Sequence, residues 1–155
     1  MEYKKILVAV DQFEHSLAVY EEALDLARKE DAKLMVFHCI KQDTPAELMG
    51  RIGTFAEMDQ SESLRIRRQR ADEEIVHARA WVEELCKQAI DKGISVESDV
   101  EEGNSGPLIC DLAAKWGADL IILGRTRRGR LSERFLGSVS NYVIHHTPCS
   151  LLLVR

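Results

Sequence analysis

The sequence predicts an α/β fold, a single-domain five-stranded parallel sheet doubly wound by helices. Three observations predict it. Short apolar runs recur along the 155 residues, at 6–10, 34–40, 119–123 and 149–154, with an alternating run at 94–100. Segments with the 3.6-residue period of an amphipathic helix separate them. The order βαβαβαβαβ implies parallel strands joined by right-handed crossovers. No repeat or low-complexity tract divides the chain, so one domain spanning 1–155 is expected, long enough to bury a real core.

Ile6-Leu7-Val8-Ala9-Val10 is the continuous apolar run of a strand covered on both faces, and Asp11 follows at its carboxyl end. Leu17, Tyr20, Leu24 and Ala27 recur at helical spacing over 16–30, and Leu34 to Ile40 forms the second buried strand. The stretch 41–63 is poorly patterned, contains Pro45, Gly50 and Gly53, and reads as a mobile surface insertion or partly helical flap. A long helix follows, in which Ala71, Ile75, Ala78, Val82, Leu85 and Ala89 step by four and three along one stripe. Gly93 is its natural C-terminal cap. The run 94–100 alternates and reads as a strand nearer an edge. Asn104-Ser105-Gly106-Pro107 has the form of a helix start with a capping side chain. Leu108, Ile109, Leu112, Ala113 and Trp116 give that helix its inner face, and Gly117 closes it. The fourth strand, 119–123, stops at Gly124. A last helix from Ser138 carries Val139, Tyr142, Val143 and His146 inward, before Thr147-Pro148 and the terminal strand.

Composition narrows the function. A net charge of -5 gives no overall drive toward nucleic acid or anionic membranes. No apolar run approaches the ~20 residues needed to span a bilayer, and the N-terminal run is a strand rather than a signal peptide. The four cysteines, Cys39, Cys86, Cys110 and Cys149, have no metal-ligand spacing and suit reduced thiols in a cytoplasmic protein. His145 and His146 are adjacent on a helix and point different ways, so no metal site is expected. Arg65, Arg67, Arg68 and Arg70 read as a solvated helix face.

The strongest local signal is 123–140, LGRTRRGRLSERFLGSVS, where Arg125, Arg127, Arg128, Arg130 and Arg134 reverse the sign of the chain. A strand that breaks into a Gly-containing loop and opens a helix presents backbone N–H groups to an anion, which points to phosphate. Gly124-x4-Gly129 fails as a P-loop, because Arg130-Leu131 replace the lysine and hydroxyl that contact phosphate and Mg²⁺. No GxGxxG follows the first strand, and a phosphoacceptor receiver would need clustered acids where only Asp11 stands.

From KKILVAVD through HCI and GADLIILG to GSVSNYVIHHTPCSLLLVR, the whole chain resembles the universal stress proteins. The resemblance implies a Rossmann-like sheet of strand order 3-2-1-4-5. The nucleotide-binding members carry G-x2-G-x9-G-[S/T] after the fourth strand. Gly124 matches the first glycine and Gly137-Ser138 the last pair, while Arg127 stands at the middle glycine with Gly129 two positions on. Arg127 keeps its N–H, and a guanidinium can fork onto phosphate. A left-handed backbone at this position would cost roughly 1–2 kcal/mol.

By this resemblance, the end of strand one (Ala9, Val10, Asp11) would meet adenine or ribose. Cys39 and Ile40 would offer backbone to the adenine, and Leu123 and Gly124 would flank the ribose. The phosphates of ATP or AMP would lie on Gly137, Ser138, Val139 and Ser140, with Arg125, Arg127 and Gly129 in the loop between. Mg²⁺ is compatible with such a ligand. A homodimer through the terminal strand 149–154 is implied as well, with a nucleotide-dependent sensor or adaptor role. Two alternatives remain: a nucleotide-independent dimeric scaffold, and slow ATP hydrolysis, for which the chain offers only Asp11 and the serine hydroxyls.

Overall fold

A computed structural model describes residues 2–12, 15–42, 60–125 and 136–155. The elements run β1 (Lys5–Val10), α1 (His15–Glu30), β2 (Lys33–Lys41), α2 (Gln60–Asp91), β3 (Val96–Gly103), α3 (Ser105–Trp116), β4 (Leu120–Gly124), α4 (Ser138–His146) and β5 (Ser150–Val154). The five strands form one sheet, ordered β3-β2-β1-β4-β5, with parallel pairing throughout. The apolar runs dictate this arrangement. A strand buried on both faces needs cover above and below, and crossover helices supply it.

Two cores result, one on each face. Ile6, Val8, Leu34, Val36 and Ile122 point toward α1 and α2, where they meet Val19, Tyr20, Val82 and Leu85. Leu7, Phe37, Ile121 and Leu123 point the other way, against Ile109 and Ala113 of α3 and Val143 of α4. The Tyr20 hydroxyl donates to the Leu85 carbonyl and ties α1 to α2. On the opposite face α4 lies close on α3, because a Cβ on Gly106 would come within 2.9 Å of the Tyr142 ring.

Several sequence expectations shift on contact with the structure. Leu17 is 57% exposed rather than inward. Ser16 takes the inward place in that first turn, and one residue further turns the side chain by about 100°. His146 is also exposed, its ring stacked on Tyr142 at 4.0 Å. Asn104 stands at the N-cap of α3 but its side chain makes no capping bond. Gly93 (φ 77°) and Gly117 (φ 73°) do end α2 and α3 in the left-handed region. β3 continues past Val100 to Gly103, paired to β2 through Cys39↔Glu101 and Lys41↔Gly103. Of the stretch 41–63, Lys41 belongs to β2 and Gln60 opens α2, while 43–59 lie outside the described residues. Asp119 is structural, accepting the backbone N–H groups of Lys4 and Lys5 at 2.8 Å each.

Candidate functional site

The sheet order decides where a ligand can enter. β1 leads to α1 on one face and β4 leads toward α4 on the other, so the chain diverges between two neighbouring strands. A crevice at their carboxyl ends is the usual binding position in open α/β sheets. Register brings the expected residues to this edge. Val8 pairs with Ile122, Val10 with His38, and Gly124 with Val154.

On the α1/α2 side the edge is closed. Val10 and Ile40 are buried, and His38 is 8% exposed with Nδ1 2.8 Å from the Val10 carbonyl and its ring edge-on to Trp81 of α2. The Asp11 N–H donates to Ser16 Oγ at 2.7 Å, which fixes the turn from β1 into α1 and leaves the Asp11 residue exposed. A Cβ on Gly124 would approach Val19 Cγ2 to 2.8 Å. Gly124 therefore has a packing reason to be glycine, which the sequence could not reveal because Val19 is distant along the chain.

The α3/α4 side is more open. Ala9 and Cys39 are half-buried there and pack at the margin of the second core. The Cys39 thiol lies 3.4 Å from the Gly103 carbonyl, and burial pushes its pKa up, so it stays a neutral thiol with little nucleophilic character. Leu123 is buried beneath this margin.

α4 begins with Gly137 at its N-cap, extended (φ -59°, ψ 161°) and without a side-chain capping bond. The first intrahelical acceptor is the Gly137 carbonyl, which receives the Asn141 N–H at 2.9 Å. The N–H groups of Ser138, Val139 and Ser140 thus have no acceptor within the helix, as at any helix start. Ser138 is exposed, Val139 half-buried and Ser140 buried. The Arg125 N–H donates to the Val154 carbonyl at 2.7 Å, extending the β4–β5 ladder by one bond. Arg127 and Gly129 lie outside the described residues, as do Arg128, Arg130 and Arg134.

The model of the universal stress protein family matches residues 2–155. This chain belongs to that family. It is 41% identical to a universal stress protein of Synechocystis over all of this chain and 99% of the relative. In three dimensions it resembles universal stress protein UspA from Lactobacillus plantarum (TM-score 0.76, 24% identity, 100% and 99% of the two chains). It also resembles a universal stress protein from Archaeoglobus fulgidus solved in complex with dAMP (TM-score 0.65, 20% identity, both chains covered in full). Membership accounts for the sheet order and for divergence between β1 and β4. Among the described residues no group of three or more His, Cys, Asp or Glu could hold a metal ion, and no helix is long and apolar enough to cross a membrane.

Proposed function

We propose that this universal stress protein binds an adenine nucleotide, ATP or AMP, at the carboxyl ends of β1, β2 and β4, and acts as a nucleotide-dependent sensor or adaptor in the cytoplasm. The observation that carries the reading is the start of α4. Gly137 caps the helix without a side chain, so nothing of the cap residue itself stands before the amides of Ser138, Val139 and Ser140. Three N–H groups and the helix dipole there favour an anion; the dipole contributes about 0.3–1 kcal/mol per charge and hydrogen bonds supply the rest. The dAMP complex of the Archaeoglobus relative supports the choice of adenine.

In this reading the ring lies toward Ala9, Val10, Cys39 and Ile40, Asp11 meets the ribose or adenine, and Leu123 and Gly124 flank the sugar. The proposed set also includes Arg125, Arg127 and Gly129 of the loop sequence after β4, where a guanidinium could fork onto a phosphate. Any Mg²⁺ would arrive on the phosphates, with Asp11 and the serine hydroxyls as nearby protein oxygens. A homodimer through 149–154 suits the apolar edge strand β5, whose outer side has no neighbour in the sheet order.

Calorimetric titration with ATP, ADP and AMP tests the reading, together with a search for adenine compounds released on denaturation. Saturable binding that weakens in Ser138→Ala supports it; no heat and no released adenine with any of the three overturns it. One observation favours the nucleotide-independent scaffold. Gly124, a residue of the family's phosphate motif, is already required by its packing against Val19.

A further inference from the structure

Besides Tyr20, the polar or charged residues buried among those described are Ser16, His38 and Ser140. A buried polar group costs stability unless it is hydrogen-bonded, so each has a partner that explains its place. Ser16 and His38 converge on a single peptide group. The carbonyl of Val10 and the N–H of Asp11 belong to one planar amide. Its oxygen lies 2.8 Å from Nδ1 of His38, and its N–H donates to Ser16 Oγ at 2.7 Å. A carbonyl has no proton to give, so Nδ1 carries the proton and is the donor.

The sheet explains why this amide is held by side chains. β1 pairs with β4 only from Ile6↔Leu120 to Val8↔Ile122, whereas β4 continues against β5 as far as Gly124↔Val154. β1 and β4 have therefore parted before β1 ends at Val10, and the chain turns toward α1 with one neighbouring strand already gone. An amide at such a fork has lost one ladder and would swing about its two flanking bonds. His38 of β2, with Trp81 edge-on to its ring, and Ser16 of α1 hold it from two different elements.

We propose that His38 and Ser16 are positioning residues for the nucleotide site. By clamping both polar atoms of the Val10–Asp11 amide, they fix the backbone from which the Asp11 side chain reaches the sugar or ring. This role rests on the adenine-nucleotide reading above and extends it to two residues that touch no ligand. A side chain carried on a fixed amide loses less freedom on binding, so the affinity that Asp11 supplies depends on the clamp.

Calorimetric titration with ATP and with AMP, beside melting curves, tests the clamp. The proteins are the wild type, Asp11→Ala, Ser16→Ala, His38→Phe and His38→Asn, with Ser16→Ala and His38→Phe each also combined with Asp11→Ala. His38→Phe keeps a ring and removes the donor; His38→Asn keeps an N–H near the place of Nδ1 and gives up the ring. Ser16→Ala and His38→Phe should each weaken binding about fivefold, the effect of one lost hydrogen bond. His38→Asn should recover most of the affinity that His38→Phe loses, although its melting point falls because it leaves a space beside Trp81. In the Asp11→Ala background neither change should weaken binding further, since the residue they position is gone. Should His38→Phe not fold, Ser16→Ala completes the same cycle alone. The clamp is overturned if Asp11→Ala binds as the wild type does, or if affinity in the His38 variants follows ring size instead of the donor. It is overturned equally if the losses persist undiminished without the Asp11 carboxylate. A wild type that binds neither nucleotide overturns the adenine reading itself, and the positioning role falls with it.

Discussion

At the carboxyl ends of the strands, the two faces of the sheet are finished differently. Toward α1 and α2, Val10, His38 and Ile40 are buried, Ser16 holds the turn after β1, and Val19 fills the space over Gly124. Toward α3 and α4, Ala9 and Cys39 are only half-buried and α4 starts on a bare glycine cap. One face spends its residues on closure and the other leaves small groups and backbone at the surface. Outside the Val10–Asp11 amide and the two side chains that hold it, the contrast teaches that substitutions on the two sides should separate stability from ligand binding.

The largest effect should come from filling the open side. Ala9→Leu is expected to weaken ATP or AMP binding by about 30-fold or more, roughly 2 kcal/mol, with little change in thermal stability; calorimetry beside a melting curve reads both. On the closed side, Gly124→Ala should cost about 1–3 kcal/mol by overpacking against Val19. Adding Val19→Ala should recover part of that loss in urea unfolding. A Gly124→Ala protein as stable as wild type would show that the closed side is looser than the packing indicates.

Tyr20→Phe should cost about 1 kcal/mol, since the Leu85 carbonyl loses one donor. Burial pushes the Tyr20 pKa well above the usual phenol range, so the folded state holds its proton where the unfolded state begins to lose it. That contribution is complete below about pH 10 and declines as pH rises further. The wild type should therefore lose stability in alkali more steeply than Tyr20→Phe, with nucleotide affinity near neutrality unchanged in both. The smallest expected effect overall belongs to Gly137→Asp. A side-chain cap and a negative charge at the start of α4 should stabilise it by about 0.5–1 kcal/mol while weakening phosphate binding several-fold. Tighter binding in that variant would move the phosphates away from α4.

Much of this architecture was legible in the chain. Strands buried on both faces leave continuous apolar runs, and the stripe from Ala71 to Ala89 marked α2 before its neighbours were known. Legibility failed where partners are distant along the chain. Nothing near Gly124 announces Val19, and nothing near Gly106 announces Tyr142. β3 looked shorter than it is because an edge strand tolerates exposed charges such as Glu101 and Glu102 near its end. Leu17 was misplaced because apolar spacing gives a helix face but does not say which turn has sheet beneath it. The proposed site rests in the chain on a strand–loop–helix pattern suited to an anion; the proposal of adenine rests on family resemblance.

Val19 has one more effect, on motion. Its methyl group stands 2.8 Å from where any side chain on residue 124 would begin, so the end of β4 meets a backstop on that flank. Hard contacts resist compression far more than separation. Any displacement of Gly124 itself is thereby biased away from α1, and a load on the end of β4 would fall on its pairing with β5 rather than lean against α1.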